Sequence, residues 1–194
     1  MKAVLASGNV GKVREFAALL AARDIEVVPQ TDFGIVTPEE TGTTFLDNAL
    51  LKARHAAAAS GLAALADDSG IEVDALAGRP GVWSARYAGA QASDADNLNL
   101  LLRELAAVPA ERRTARYRCV LVWVREAADP APLIASGVWE GRVLSAPRGA
   151  GGFGYDPVFQ PEGFAVSAAE LPAAQKNTLS HRAQALRALL AALP

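Results

Sequence analysis

The chain has 194 residues, 51% hydrophobic and 21% charged, a balance that argues against disorder and suits one α/β domain with a substantial buried core. With 19 Lys and Arg against 21 Asp and Glu, no overall field draws it to DNA or an anionic membrane. Any anionic ligand must be held by a local cluster.

Cys119 is the only cysteine, which rules out an intramolecular disulfide. Its place in the strand-like "YRCVLVWV" predicts a buried, inert thiol and a reducing compartment. The apolar stretches "AVLA" and "AAAASGLAALA" are too short or too interrupted for a signal-peptide core or a bilayer span. The expectation is a soluble cytoplasmic protein.

In chain order, "KAVLAS" predicts a short buried strand, followed by a Gly/Asn turn and a helix through Val10, Val13, Phe16, Leu19 and Leu20. "IEVVPQ" predicts a second strand. After the turn-rich "TPEETGTT", Thr43 or Thr44 is placed to cap a helix with Phe45, Ala49 and Ala53 on one face and Asn48, Lys52 and His55 on another. "LAALAD" predicts a buried strand ending at Asp67 and Asp68, and "AGRPGVWSARYAG" an irregular loop. Ser93 and Asp96 form a capping pair before Leu98, Leu101, Leu102 and Leu105. "ARYRCVLVWVRE" and "APLIASGVWEGRVL" predict an antiparallel hairpin. The Gly-rich "RGAGGFGYDPVF" follows, and Ser180 can cap a final helix buried through Leu186, Leu189, Leu190 and Leu193. Alternating strands and helices followed by a hairpin favour a mixed sheet flanked by helices.

Six sets of residues could carry chemistry. "SGNVGK", Ser7 to Lys12, enters a helix from a strand, where open backbone N–H groups and Lys12 favour an anion, although a capped helix with a solvated lysine reads equally well. It is not a Walker A loop, because the glycine spacing is too short and Val13 stands where a Ser or Thr would bind magnesium. In extended chain Asp67 and Asp68 point to opposite faces, so they are expected to do different jobs. One suits a magnesium ion completed by substrate phosphates; the competing readings are an Asp-Ser-Gly turn and, more remotely, a carboxylate pair across a sugar bond. Glu39 and Glu40 could supply a metal ligand or favour a helix start, and Asn48 with Lys52 could share a ligand or an exposed face. In "GAGGFGYDPVF" glycines allow close backbone approach and Phe153 offers an aromatic face to a base, although a glycine-punctuated strand entry has the same composition and only Phe153 and Asp156 favour a site. Lys176, His181 and Arg182, near the start of the last helix, suggest a donor set for phosphate or carbonyl oxygens, although His181 alone reads as a surface or capping histidine.

In order along the chain, "SGNVGKVREF", "EETGTTFLDNALLKARHA", "ADDSGIEVDALAGRPGVWSARYAG", "GAGGFGYDPVF" and "KNTLSHR" resemble the blocks of the inosine/xanthosine triphosphate pyrophosphatase family. Ser7 replaces the frequent Thr, and Ile71 the usual Leu. The resemblance implies a single domain over residues 1–194, an elongated two-lobed α/β fold on a long mixed β-sheet flanked by helices, an active site in the cleft between lobes, and a homodimer. It further implies Mg²⁺-dependent hydrolysis of ITP, dITP or XTP to the monophosphate and pyrophosphate. Position by position, Ser7, Gly8, Asn9, Val10, Gly11 and Lys12 would hold the phosphates. Asp68 would be general base and magnesium-linked carboxylate, Glu39 the second metal-associated carboxylate, and Ser69 a substrate contact. Phe153, Gly154, Tyr155 and Asp156 would form the base pocket, with Lys176, His181 and Arg182 completing recognition. Asp67 would support the loop or an outlying water. Two other readings stay open: a module that binds purine nucleotides without hydrolysis, and a diphosphatase of different base preference.

Overall fold

The apolar residues Ala3, Val4 and Leu5 are fully buried in β1 (Lys2–Leu5), and strand alternation sends them to two different layers. The computed structural model describes residues 2–8, 12–13, 16–17, 20 and 25–193. β1 pairs in parallel with β2 (Glu26–Pro29) and with β3 (Ala63–Val73). β4 (Thr114–Val124), β5 (Leu133–Val143) and β6 (Phe159–Pro161) complete a six-stranded sheet in the order β2-β1-β3-β4-β5-β6. β5 and β6 are antiparallel, so the sheet is mixed, as the sequence predicted. Val143, ending β5, donates its N–H to the carbonyl of Arg113, just before β4, which is the return geometry of the predicted hairpin.

The chain divides into two compact units, one of residues 1–68, 119–137 and 182–194, the other of residues 69–118 and 138–181. In the first, alternation along three strands separates two cores. Ala3, Leu5, Leu65, Cys119, Leu121 and Trp123 pack with Phe16 and Leu20, where the described backbone is helical, and with Leu186 and Leu189 of α4 (His181–Ala192). Val4, Ala6, Ala64, Ala66, Val122 and Val124 face Ala49, Ala53, Ala56 and Ala57 of α1 (Phe45–Ser60). An alanine stripe lets α1 lie close to the strands, which gives the alanine excess of this region a structural purpose. Thr44 caps α1 by accepting the Asp47 N–H at 3.1 Å, and Gly61 closes it in the left-handed conformation.

In the second unit, Ile71, Val73, Ala115, Tyr117, Trp139 and Phe159 pack against Leu98, Leu101 and Leu105 beside α2 (Asp94–Glu104). The predicted Ser93–Asp96 capping box is present at its start.

Three local expectations are corrected. The strand predicted to end at the aspartates runs on to Val73, because Ile71 and Val73 have a second core to enter. Lys176 lies within a separate short helix, α3 (Ala173–Leu179), rather than near the start of the last one. The supposed polar face of α1 is split: Asn48 and Lys52 are buried, while His55 is exposed and bonds the Val36 carbonyl. The predicted helix positions Val10 and Leu19 lie outside the described residues.

Candidate active site

Strand alternation assigns the aspartates in the first unit. Asp67 shares the parity of Leu65 and faces the layer of the N-terminal helical segment and α4; Asp68 shares that of Ala66 and faces α1. Both are buried, at 1% and 6% exposure, and a buried carboxylate must be paired. Asp67 Oδ2 accepts from Lys12 Nζ at 2.8 Å and lies 3.7 Å from Arg182 Nε. Asp68 Oδ1 accepts from Lys52 Nζ at 2.7 Å, and its Oδ2 lies 3.4 Å from Asn48 Nδ2. The Lys52 ammonium also donates to Glu40 Oε1 at 2.8 Å. Asn48 is fully buried, and its Oδ1 accepts the Gly42 N–H at 2.8 Å, tying the loop that carries Glu40 to the helix.

The electrostatic outcome differs between neighbours. Burial opposes ionisation of Asp67, but Lys12, Arg182 and Lys52 outweigh it and hold the carboxyl well below the usual carboxylate range. For Asp68 burial prevails: the carboxyl is pushed up to about 6, with Lys52 opposing and Glu40 and Asp67 adding to the rise. Burial would lower Lys52, yet Asp68, Asp67 and Glu40 keep it above the ordinary lysine value. Asp67, Asp68 and Glu40 balance Lys12, Lys52 and Arg182 in formal charge, so the set is a dense but compensated network.

The second unit carries another set. Asp156 Oδ2 accepts from Lys176 Nζ at 2.5 Å and from the Phe153 N–H at 2.9 Å, while the Lys176 ammonium lies 5.1 Å from the Phe153 ring centroid. Gly152 permits this turn: it sits at φ +71°, and a Cβ there would stand 2.1 Å from Asp156 Oδ2. His181 stacks flat on Tyr117, with centroids 4.6 Å apart and planes at 7°. Ser69 follows Asp68 on β3, half-buried. At Gly70 an added Cβ would come 2.3 Å from the Gly81 carbonyl oxygen and 2.5 Å from Ser84 Oγ, so the strand after the aspartates is pressed against the 81–86 turn.

The Ham1 family pattern matches residues 3–192. The chain belongs to the Ham1 family. It is 59% identical to a dITP/XTP pyrophosphatase of Methylococcus capsulatus, over 99% of this chain and 96% of that one. Against a dITP/XTP pyrophosphatase of Escherichia coli K12 the identity is 53%, over 99% and 98%. Among solved structures, a HAM1 protein from Coxiella burnetii superposes with a TM-score of 0.93 at 47% identity, over 99% of this chain and 98% of that one.

In this Ham1-family chain Lys12 and Arg182 meet on Asp67, Asp68 is held by Lys52 and Asn48, and Phe153, Asp156 and Lys176 form a further set. Ser7 is buried and Gly8 exposed just beyond β1; Asn9, Val10 and Gly11 lie outside the described residues. Glu39 is exposed, whereas its neighbour Glu40 reaches the Asp68 set through Lys52. The Tyr155 side chain enters the core, where its hydroxyl donates to the Ser84 carbonyl at 2.8 Å. The Gly154 N–H donates to Asp94 Oδ2 at 2.8 Å. Cys119 is buried, and burial drives its thiol far above the ordinary range, an inert thiol as expected. Tyr117 went unread as a site residue, although its two-residue spacing from Cys119 already placed it on an inward face.

Two hard carboxylates, Asp68 and Glu40, bond one ammonium, and among the described residues no group of three or more His, Cys, Asp or Glu is placed to hold a metal. That donor set fits magnesium, which keeps several waters and takes one or two carboxylates plus phosphate oxygens. It lacks the nitrogen and sulfur ligands that zinc favours.

Proposed function

We propose that this chain hydrolyses non-canonical purine nucleoside triphosphates, ITP, dITP and XTP, to the monophosphate and pyrophosphate, with Asp68 as general base. The observation that carries the reading is the divided aspartate pair. Asp67 is committed to Lys12 and Arg182, while the buried Asp68, raised to about 6, is poised to exchange a proton near neutrality. The names of the relatives, dITP/XTP pyrophosphatases, support the same chemistry.

In this mechanism the phosphates lie along residues 7–12, and Lys12 neutralises part of their charge. Asp68 accepts a proton from water as the water oxygen bonds to the α-phosphorus. The bond from that phosphorus to the oxygen bridging to the β-phosphorus breaks, and pyrophosphate leaves with the bonding electrons. Lys52 and Asn48 keep the Asp68 carboxylate in place, so little reorganisation accompanies the step. Magnesium, held by Asp68 and by Glu40 in place of the Glu39 expected from sequence, would supply further neutralisation of the phosphate oxygens.

Phe153 would stack on the base, and His181 and Arg182 would donate to an acceptor oxygen at its 6-position. Adenine presents a donor amine there and leaves those donors unmatched, a mismatch that discriminates strongly. Guanine shares the oxygen, so its rejection rests on the 2-position. Ser69, Gly154, Tyr155, Asp156 and Lys176 complete the substrate contacts in this reading. A homodimer and a cytoplasmic location, where nucleotide pools are turned over, belong to the same proposal. Among the described residues no helix is long and apolar enough to cross a membrane.

Incubation with Mg²⁺ and a panel of nucleoside triphosphates tests the proposal. Stoichiometric pyrophosphate from ITP and XTP, with little from ATP or GTP, is expected; orthophosphate release or equal use of ATP would sink it. Asp68→Asn is expected to abolish turnover while retaining the fold and most nucleotide binding, and normal turnover by that variant would remove Asp68 from its role. Sedimentation in solution tests the dimer directly.

A further inference from the structure

We infer that Tyr117 is a positioning residue for substrate recognition, setting the plane of the His181 imidazole through the face of its own ring. The inference rests on the proposed function, because it takes His181 as a base-reading donor.

Tyr117 meets His181 and Asp156, both in the second unit. Its ring lies 4.6 Å from the His181 ring at 7°, and meets Phe159 edge-on at 4.7 Å and 64°. Its hydroxyl donates to Asp156 Oδ1 over a long 3.4 Å, while the other oxygen of that carboxylate takes Lys176 and the Phe153 N–H. The three rings Trp139, Phe159 and Tyr117 form a continuous run, since Trp139 lies 5.5 Å from Phe159. His181 therefore rests on a support anchored in the core of its unit.

A donor that must meet one oxygen of a flat base needs its ring plane fixed before the base arrives, or binding loses the entropy of ordering it. His181 opens α4, and the backbone of a first helical residue does not fix χ2, which is broad for histidine. The parallel ring does fix it: stacking restrains rotation about χ2 while leaving both nitrogens at the ring edge, in the plane where a base oxygen would be met. The ring face carries most of the effect, because the hydroxyl contact to Asp156 is at the long end of the hydrogen-bond range.

The test compares Tyr117→Phe with Tyr117→Leu in the full chain. Y117F keeps the flat face and is expected to retain KM and kcat for ITP within about twofold of the parent. Y117L is expected to raise KM for ITP about tenfold, leave kcat nearly unchanged and narrow the preference for ITP over ATP, the size being that of one lost aromatic pair with its ordering cost. The His181 ring protons, read by NMR without substrate, should carry the upfield shift of a stacked ring in the parent and in Y117F, and lose it in Y117L. Unchanged KM and ITP preference in Y117L, a Y117F variant as impaired as Y117L, or a His181 shift indifferent to Y117L would each overturn the inference. If Y117L does not unfold cooperatively, Y117M, which is also without a flat face, carries the same expectations. Absence of ITP turnover in the parent protein would instead fail the proposed function, while the NMR comparison would still decide the stacking.

Discussion

Asp67 and Asp68 are adjacent in sequence and opposite in ionisation behaviour, and the pH dependence of stability follows from that. Asp67 is held low by Lys12, Arg182 and Lys52 against its burial. It therefore contributes stability above the free-carboxylate value, and that stability is lost as pH falls. Asp68 binds its proton more tightly when folded, about 6 against 3.8 for a free side chain. Its contribution is full below 3.8 and is lost as pH rises through about 6, amounting to about 3 kcal/mol at most. In metal-free protein Asp68→Asn should flatten the decline in stability across that window, measured by urea unfolding at several pH values. Asp67→Asn should instead destabilise near neutrality by about 3 kcal/mol or more, since it strands Lys12 and Arg182 without their carboxylate.

At the scale of elements, α1 matters most, because it delivers Asn48 and Lys52 to Asp68 from a helix packed through alanines. Its start depends on the Thr44 side chain, which accepts the Asp47 N–H. Thr44→Ala should lower stability by about 1 kcal/mol, seen as a lower urea midpoint with an unchanged m-value. The alanine stripe in "FLDNALLKARHAAAAS" made the helix and its buried face legible. The depth of Asn48 and Lys52 was not, because a polar pair four residues apart has the same pattern on an exposed face. Likewise α3 escaped the sequence reading: seven residues after a proline are too few for a helical period to stand out.

At the scale of the whole molecule, the chain passes between its two compact units at Asp68/Ser69, Arg118/Cys119, Gly137/Val138 and His181/Arg182. Two of these crossings fall inside the proposed site sequence: Asp68, the proposed general base, is bonded to Ser69, and His181 to Arg182. No single linker separates the units, and cleavage at one point would not release either. A bound nucleotide should raise the stability of the folded protein. With Asp68→Asn to prevent turnover, saturating ITP with Mg²⁺ at about 100 times its Kd should add about 2.7 kcal/mol, read as a rise in Tm, and ATP at the same concentration distinctly less.

The sequence by itself determined the mixed α/β architecture, the capping of α1 and α2, the inert Cys119 and the family, because each depends on local period, cap chemistry or ordered motifs. Alternation also determined that Asp67 and Asp68 face different layers. What each aspartate meets was decided only by tertiary structure. Lys12, Lys52 and Arg182 lie 55, 16 and 115 positions from their partners, as the residue numbers give, and no local rule pairs charges over such separations. The same is true of Glu40 rather than Glu39 beside Lys52, and of Tyr117 beneath His181. Burial in a medium of low dielectric turns those long-range pairings into the difference between a fixed counter-charge and a carboxylate ready to exchange a proton.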